Sequence, residues 1–81
     1  MQGGLVEIEV PSHSWVIGKT VVDLKLPKGT LILLIQRQGK AFVLSSGTEI
    51  EAQDNLLVFA DKDSLKKIQE LVEASSQAFE D

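Results

Sequence analysis

Three short stretches hold residue types that do chemistry in other settings. Gly18-Lys19-Thr20 matches the last three residues of a phosphate-binding loop, where backbone N–H groups cradle phosphate and the lysine neutralises it. That loop needs a glycine five residues earlier, where this chain has His13. It must also leave a buried strand and enter a long helix, and here a short alternating stretch and Pro11 precede it. A turn at Gly18 and a helix opening at Thr20 account for the triplet. His13 is the only histidine and sits between Ser12 and Ser14. A nucleophile needs a base within hydrogen-bond reach and a third group orienting that base, which neighbours on one loop do not supply. Asp61-Lys62-Asp63 places two carboxylates two residues apart, without the further ligands and glycine of a calcium loop. A zinc site would need three or four ligands in a recognisable spacing, so no metal site is expected. No reaction centre emerges, and the chain is expected not to be an enzyme.

The elements that would carry these residues can be read from periodicity. The chain is organised around Leu31-Ile32-Leu33-Leu34-Ile35, five apolar residues with no polar alternation. Turn residues bound it at Gly29-Thr30 and Gln38-Gly39, so Thr30–Arg37 reads as a central strand with both faces covered. Gln38-Gly39 is a tight turn into a partner strand over Lys40–Leu44. Leu5–Val10 alternates, with Val6, Ile8 and Val10 inward and Glu7 and Glu9 outward, and Pro11 ends it. A short helix follows Thr20, with Val21, Val22 and Leu24 on its buried side. Pro27-Lys28-Gly29 then turns the chain into the central strand. After a loop at Ser45-Ser46-Gly47, Thr48-Glu49-Ile50 is briefly extended and Gln53-Asp54-Asn55 turns into a second buried strand, Leu56–Ala60. Asp61 is a good N-cap. Leu65, Ile68, Val72 and Phe79 lie on spacings of one helical face, predicting an amphipathic helix from Lys62 to about Glu73. The fold class is therefore α+β: a small, mostly antiparallel sheet, a short helix after the first strand and a C-terminal amphipathic helix. It forms a single domain over 1–81 with its core at about 5–73.

Composition narrows the partners. An 81-residue chain buries little core for its surface, and with no cysteine neither disulfides nor thiolate-bound metal can reinforce it. Self-association into a symmetric homodimer is the expected remedy. Absent cysteine also agrees with a reducing compartment. Residues 1–15 lack a basic start followed by an apolar block, so no signal peptide is expected, and no run is long enough to span a bilayer. The net charge of −4 argues against nucleic acid as a partner. It is unevenly spread: residues 19–40 hold five cations and one carboxylate, while the rest hold three lysines and eleven carboxylates. A basic middle in an acidic chain can attract a small anion, although exposed charges are more commonly a solvated surface.

Glu7-Ile8-Glu9-Val10-Pro11, Gly18-Lys19, Asp23-Leu24, Leu26-Pro27, Ile32–Arg37 and Leu56–Ala60, in this order of strand, short helix, strand, hairpin, strand and helix, resemble the TrkA C-terminal domain. This is also called the C-terminal domain of the regulator of potassium conductance. The stretch Asp-Leu-x-Leu-Pro-x-Gly before the central strand looks most like the cytoplasmic tail of bacterial potassium/proton antiporters. The resemblance implies a ligand-sensing, dimerising regulatory domain at the cytoplasmic face of the cell membrane, attached to the membrane-embedded antiporter portion of the same chain. Members that bind cyclic di-AMP carry two aliphatics, then Asp, Arg and Asn at set spacings. Here Val21 and Val22 keep the aliphatics, but Lys25, Pro27 and Leu31 replace the three polar residues in a shorter segment. That departure counts against cyclic di-AMP in this mode.

The sequence does not identify a cofactor; if the domain senses a small molecule, the expected ligand is a nucleotide-type anion lying where two copies meet, with Lys25 and Lys28 as anchors and Val21, Val22, Leu26, Pro27 and Leu31 as its apolar surround. Two further readings stand beside it. One is a pure assembly module without a small-molecule ligand, and the other is a regulatory domain on a soluble protein such as a transcription factor.

Overall fold

The computed structural model describes residues 3–75. Its elements are β1 (Gly3–Glu9), α1 (Val21–Leu24), β2 (Leu31–Arg37), β3 (Lys40–Phe42), β4 (Asn55–Asp61) and α2 (Lys62–Glu73). The strands form one antiparallel sheet in the order β1-β4-β2-β3, so the last strand is inserted between the first and the second. The α+β architecture is the one the sequence predicts, and Phe79 lies outside the described residues.

Local chemistry accounts for the joints. Gln38 and Gly39 both take positive φ, 53° and 78°, which suits the two-residue turn of a twisted hairpin. The partner strand is shorter than expected and stops at Phe42. Asp61 caps α2 by accepting Ser64 N–H at 2.8 Å. The other end of α2 is tied to the loop after β1. Trp15 N–H donates to the Ala74 carbonyl at 2.9 Å, Trp15 Nε1 to Leu71 at 2.9 Å and His13 Nε2 to Glu73 at 3.0 Å. These three bonds engage carbonyls at the end of the helix, where Leu71 also accepts the Ala74 N–H at 3.3 Å. They give His13 a structural role.

The core lies between α2 and one face of the sheet. It is built from Ile8, Leu56, Val58 and Ile35 of the strands, Ile68 and Val72 of α2, and Val10, Val16, Leu24 and Ile50 of the connections. One expectation needs correcting here. The unbroken apolar runs imply strands covered on both faces, but α2 covers only one. β2 alternates exposed and half-buried until Ile35, and Phe59 of β4 is open to solvent. A register shift between Ile32 and Leu34 marks a β-bulge, so Leu33 is an extra residue opposite β4. A second correction concerns α1. Only Leu24 is buried, and Val22 is 70% exposed. A single turn of helix can press just one residue onto the core, and its Thr20 cap places Leu24 there.

Candidate functional site

The expected ligand segment begins at α1, which is fixed by a reciprocal cap. Asp23 N–H donates to Thr20 Oγ1 at 3.3 Å, and Thr20 N–H donates to Asp23 Oδ2 at 3.1 Å. The bond from the Thr20 N–H, helped by that with the Thr20 side chain and by the charge of Lys19, holds the Asp23 carboxyl below its usual range. Lys25 ends α1 in the left-handed region, with φ 50° and ψ 56°. This reversal sends Leu26 back against the core and leaves the Lys25 side chain in solvent. Gly29, with φ 82°, makes the second reversal into β2.

The seven predicted residues therefore divide into two groups. Val22, Lys25, Lys28 and Leu31 are exposed, whereas Val21, Leu26 and Pro27 are half-buried. Among the described residues, neither lysine makes an ion pair. The expected concentration of positive charge is smaller than the residue count implies, because Arg37 is already engaged. Its Nε and Nη2 donate to Asp54 Oδ1 and Oδ2, each at 2.8 Å, and Nη2 also reaches the Glu49 carbonyl at 3.0 Å. Nη1 pairs with Glu51 Oε2 at 3.1 Å, and the guanidinium carbon lies 5.0 Å from the Phe42 ring centroid. The bond that Arg37 donates to Asp54, reinforced by the charges of Asp54 and Glu51, raises the Arg37 pKa further. Lys19 in turn lies 5.8 Å from the Trp15 ring centroid. Of the five cations in residues 19–40, Lys25, Lys28 and Lys40 are left, and only Lys25 and Lys28 lie in the predicted ligand segment, with Asp23 beside them.

The open face of the sheet adds Leu31, Leu33 and Phe59, which sequence reasoning placed in strands covered on both faces, and Leu5 beside them. Leu5 pairs with Phe59 across β1 and β4, and Phe59 pairs with Leu31 across β4 and β2. Directly paired residues share a face, so these three form a row. Leu5 is 53% exposed, Leu31 57% and Phe59 40%, with Leu33 also open at 40%. Such a row of exposed apolar side chains makes this face a candidate interaction surface. Leu31 belongs to both the row and the ligand segment. The signal was present in the sequence as apolar residues on every position of two strands, but it reads the same whether the second cover is this chain or another.

The TrkA-C domain family matches this chain over residues 5–73. The chain is 37% identical over 71 residues to the Trk system potassium uptake protein TrkA homolog of Archaeoglobus fulgidus, covering 88% of this chain and 16% of that protein. It is 31% identical over 77 residues to the Trk system potassium uptake protein TrkA of Azorhizobium caulinodans, covering 95% and 17% respectively. The chain thus spans about a sixth of the length of the curated relatives it matches. Among solved structures it is similar to the RCK_C domain dimer of S. agalactiae BusR in complex with c-di-AMP. There the TM-score is 0.74 and the identity 25%, over 85% of this chain and 95% of that one. The RCK C domain of the potassium transport protein KtrA, in complex with the same nucleotide, shares the fold, with a TM-score of 0.74 at 18% identity over 84% and 81%.

Proposed function

Because the chain belongs to the TrkA-C domain family, we propose that it is a dimerising regulatory domain of a potassium transport system, and not a catalytic one. In the finer form of this proposal it is attached to a monovalent cation/proton antiporter and acts at the cytoplasmic face of the membrane. The observation that carries the proposal is the exposed row Leu5, Phe59 and Leu31, with Leu33 beside it. A second copy supplies the missing cover by two-fold symmetry, and the dimeric RCK_C domain of BusR supports that choice.

A small anion regulates such a pair by favouring one arrangement of the two copies over another. Val22 and Leu31 offer the ligand an apolar surface, and Lys25 and Lys28 offer charge that two-fold symmetry doubles. This set differs from the Asp, Arg and Asn of cyclic di-AMP binders, so a different nucleotide-type anion is the ligand we favour. The engagement of Arg37 by Asp54 and Glu51 weakens the local field and favours a second reading, assembly without a ligand.

Sedimentation equilibrium at micromolar concentration tests the first step: the chain is expected to be a dimer and Phe59→Asp a folded monomer. A wild-type monomer refutes it. Calorimetric titration with cyclic di-AMP, ATP and NADH tests the second. Lys25→Glu with Lys28→Glu is expected to keep the fold and weaken binding of the anion in a salt-dependent way. Equal binding by both proteins rules out this site, and no binding by either leaves the assembly reading.

A further inference from the structure

β1 lies at the border of the sheet: it pairs with β4 on one side, and among the described residues no strand pairs with its other side. In an antiparallel ladder every second residue turns its N–H and C=O away from its partner. A seven-residue strand therefore presents an unused row of donors and acceptors along that side. α2 packs beside it, and between the two runs a groove of about 580 Å³. Ile8 lines it on the strand, flanked by Glu7 and Glu9, and Lys66, Glu70 and Glu73 line it on the helix. Four exposed carboxylates and one lysine thus line it.

We propose that this groove accepts an extended basic segment of a partner protein as a fifth strand, hydrogen-bonded to β1 and alternating lysine or arginine with small apolar residues. A free strand border beside a helix is the geometry in which main-chain bonds supply affinity and flanking side chains supply selectivity. Side chains two apart on the added strand would face Glu7 and Glu9, which share one face of β1. The alternate residues would pack towards Ile8, within reach of Glu70 and Glu73. The charge argues against a second copy as occupant, because two β1 strands laid side by side would bring Glu7 and Glu9 of each copy together. The groove adjoins the apolar row at β1, where Leu5, Glu7 and Glu9 share one face, but Phe59 lies one strand away and Leu31 two, so these two report on dimerisation through the row apart from occupation of the groove.

The test is a titration of the isotopically labelled 81-residue chain with a blocked peptide of alternating lysine and valine, followed by amide shifts in low and high salt. Saturable shifts are expected in β1 and in α2 from Lys66 to Glu73, with the amides of Leu31 and Phe59 unmoved. The joint variant Glu70→Gln with Glu73→Gln, whose positions are both exposed, should keep its circular dichroism and bind about tenfold more weakly. A peptide of the same charge, N-methylated at alternate amides, should also bind at least about tenfold more weakly, because it cannot complete the ladder. Equal binding by the N-methylated peptide reduces the groove to a general charge effect and overturns the proposal. So does an absence of saturable binding, or shifts centred on the open sheet face. Shifts in β1 that depend on protein concentration without peptide would assign the border to a second copy and overturn it as well.

Discussion

Replacing Asp54 by asparagine probes the clamp that fastens the end of β2 to the loop before β4. The side chain keeps its shape, loses its charge and turns one acceptor into a donor that faces the Arg37 guanidinium. Asp54 is fully buried, and its oxygens accept Arg37 Nε, Arg37 Nη2 and the Glu51 N–H, each at 2.8 Å. Breaking one partner out of a buried, hydrogen-bonded ion pair costs about 3–5 kcal/mol. The Arg37 side chain is 24% exposed and retains Glu51 and the Glu49 carbonyl, which lowers the expected cost to about 2–4 kcal/mol. A chain of 81 residues has about 4–12 kcal/mol of stability in all, so this is a large share of it. The melting temperature should fall by about 8–32 °C, at about 4–8 °C per kcal/mol for a domain of this size. Urea unfolding followed by Trp15 fluorescence, at one fixed protein concentration, gives the free energy, since association adds to apparent stability. A double-mutant cycle with Arg37→Met should return a coupling of about 1–3 kcal/mol. A loss below about 0.5 kcal/mol for Asp54→Asn would refute the clamp as a determinant of stability.

Three further outcomes can be measured in the same protein. Gln53 sits at φ 70°, a conformation that costs a non-glycine residue about 1 kcal/mol, and its side chain makes one exposed bond to Ser12. Gln53→Gly should therefore raise stability by up to about 1 kcal/mol in urea, and a loss of similar size would show that the Ser12 bond outweighs the strain. The Asp61 carboxyl is held below its usual range, first by the Ser64 N–H and then by the Ser64 hydroxyl. Its contribution is complete above the unfolded value near 4 and disappears as pH falls through the lower folded value. Asp61→Ala should melt earlier than wild type at neutral pH, with the gap closing in stronger acid, and a gap that persists there argues against the charged cap. Leu33 lies on the open face at the bulge, so Leu33→Asp should give a monomer with unchanged circular dichroism; a dimeric variant would mean that the partner sits elsewhere.

Much of the fold was legible because local signals agreed. Thr20, Gln38-Gly39, Pro27 to Gly29 and Asp61 each act where their chemistry predicts, and the helical spacing of Leu65, Ile68 and Val72 placed α2. The Arg37–Asp54 pair was not legible, because its partners are 17 residues apart and a charge count treats Arg37 as free. The exposure of Val22 was missed because one helical turn is too short for periodicity to assign a buried side. The open sheet face was missed for a deeper reason. A strand covered by its own chain on one side and by a second copy on the other has the same composition as one covered twice by its own chain. The structure shows that this chain covers only one face of the sheet, and it places Leu31 at the junction of the apolar row and the segment that carries Lys25 and Lys28. A ligand that touches Leu31 from that segment must meet the edge of the proposed dimer contact. Ligand binding and the packing of the two copies then share a residue, which is the physical requirement for one to bias the other.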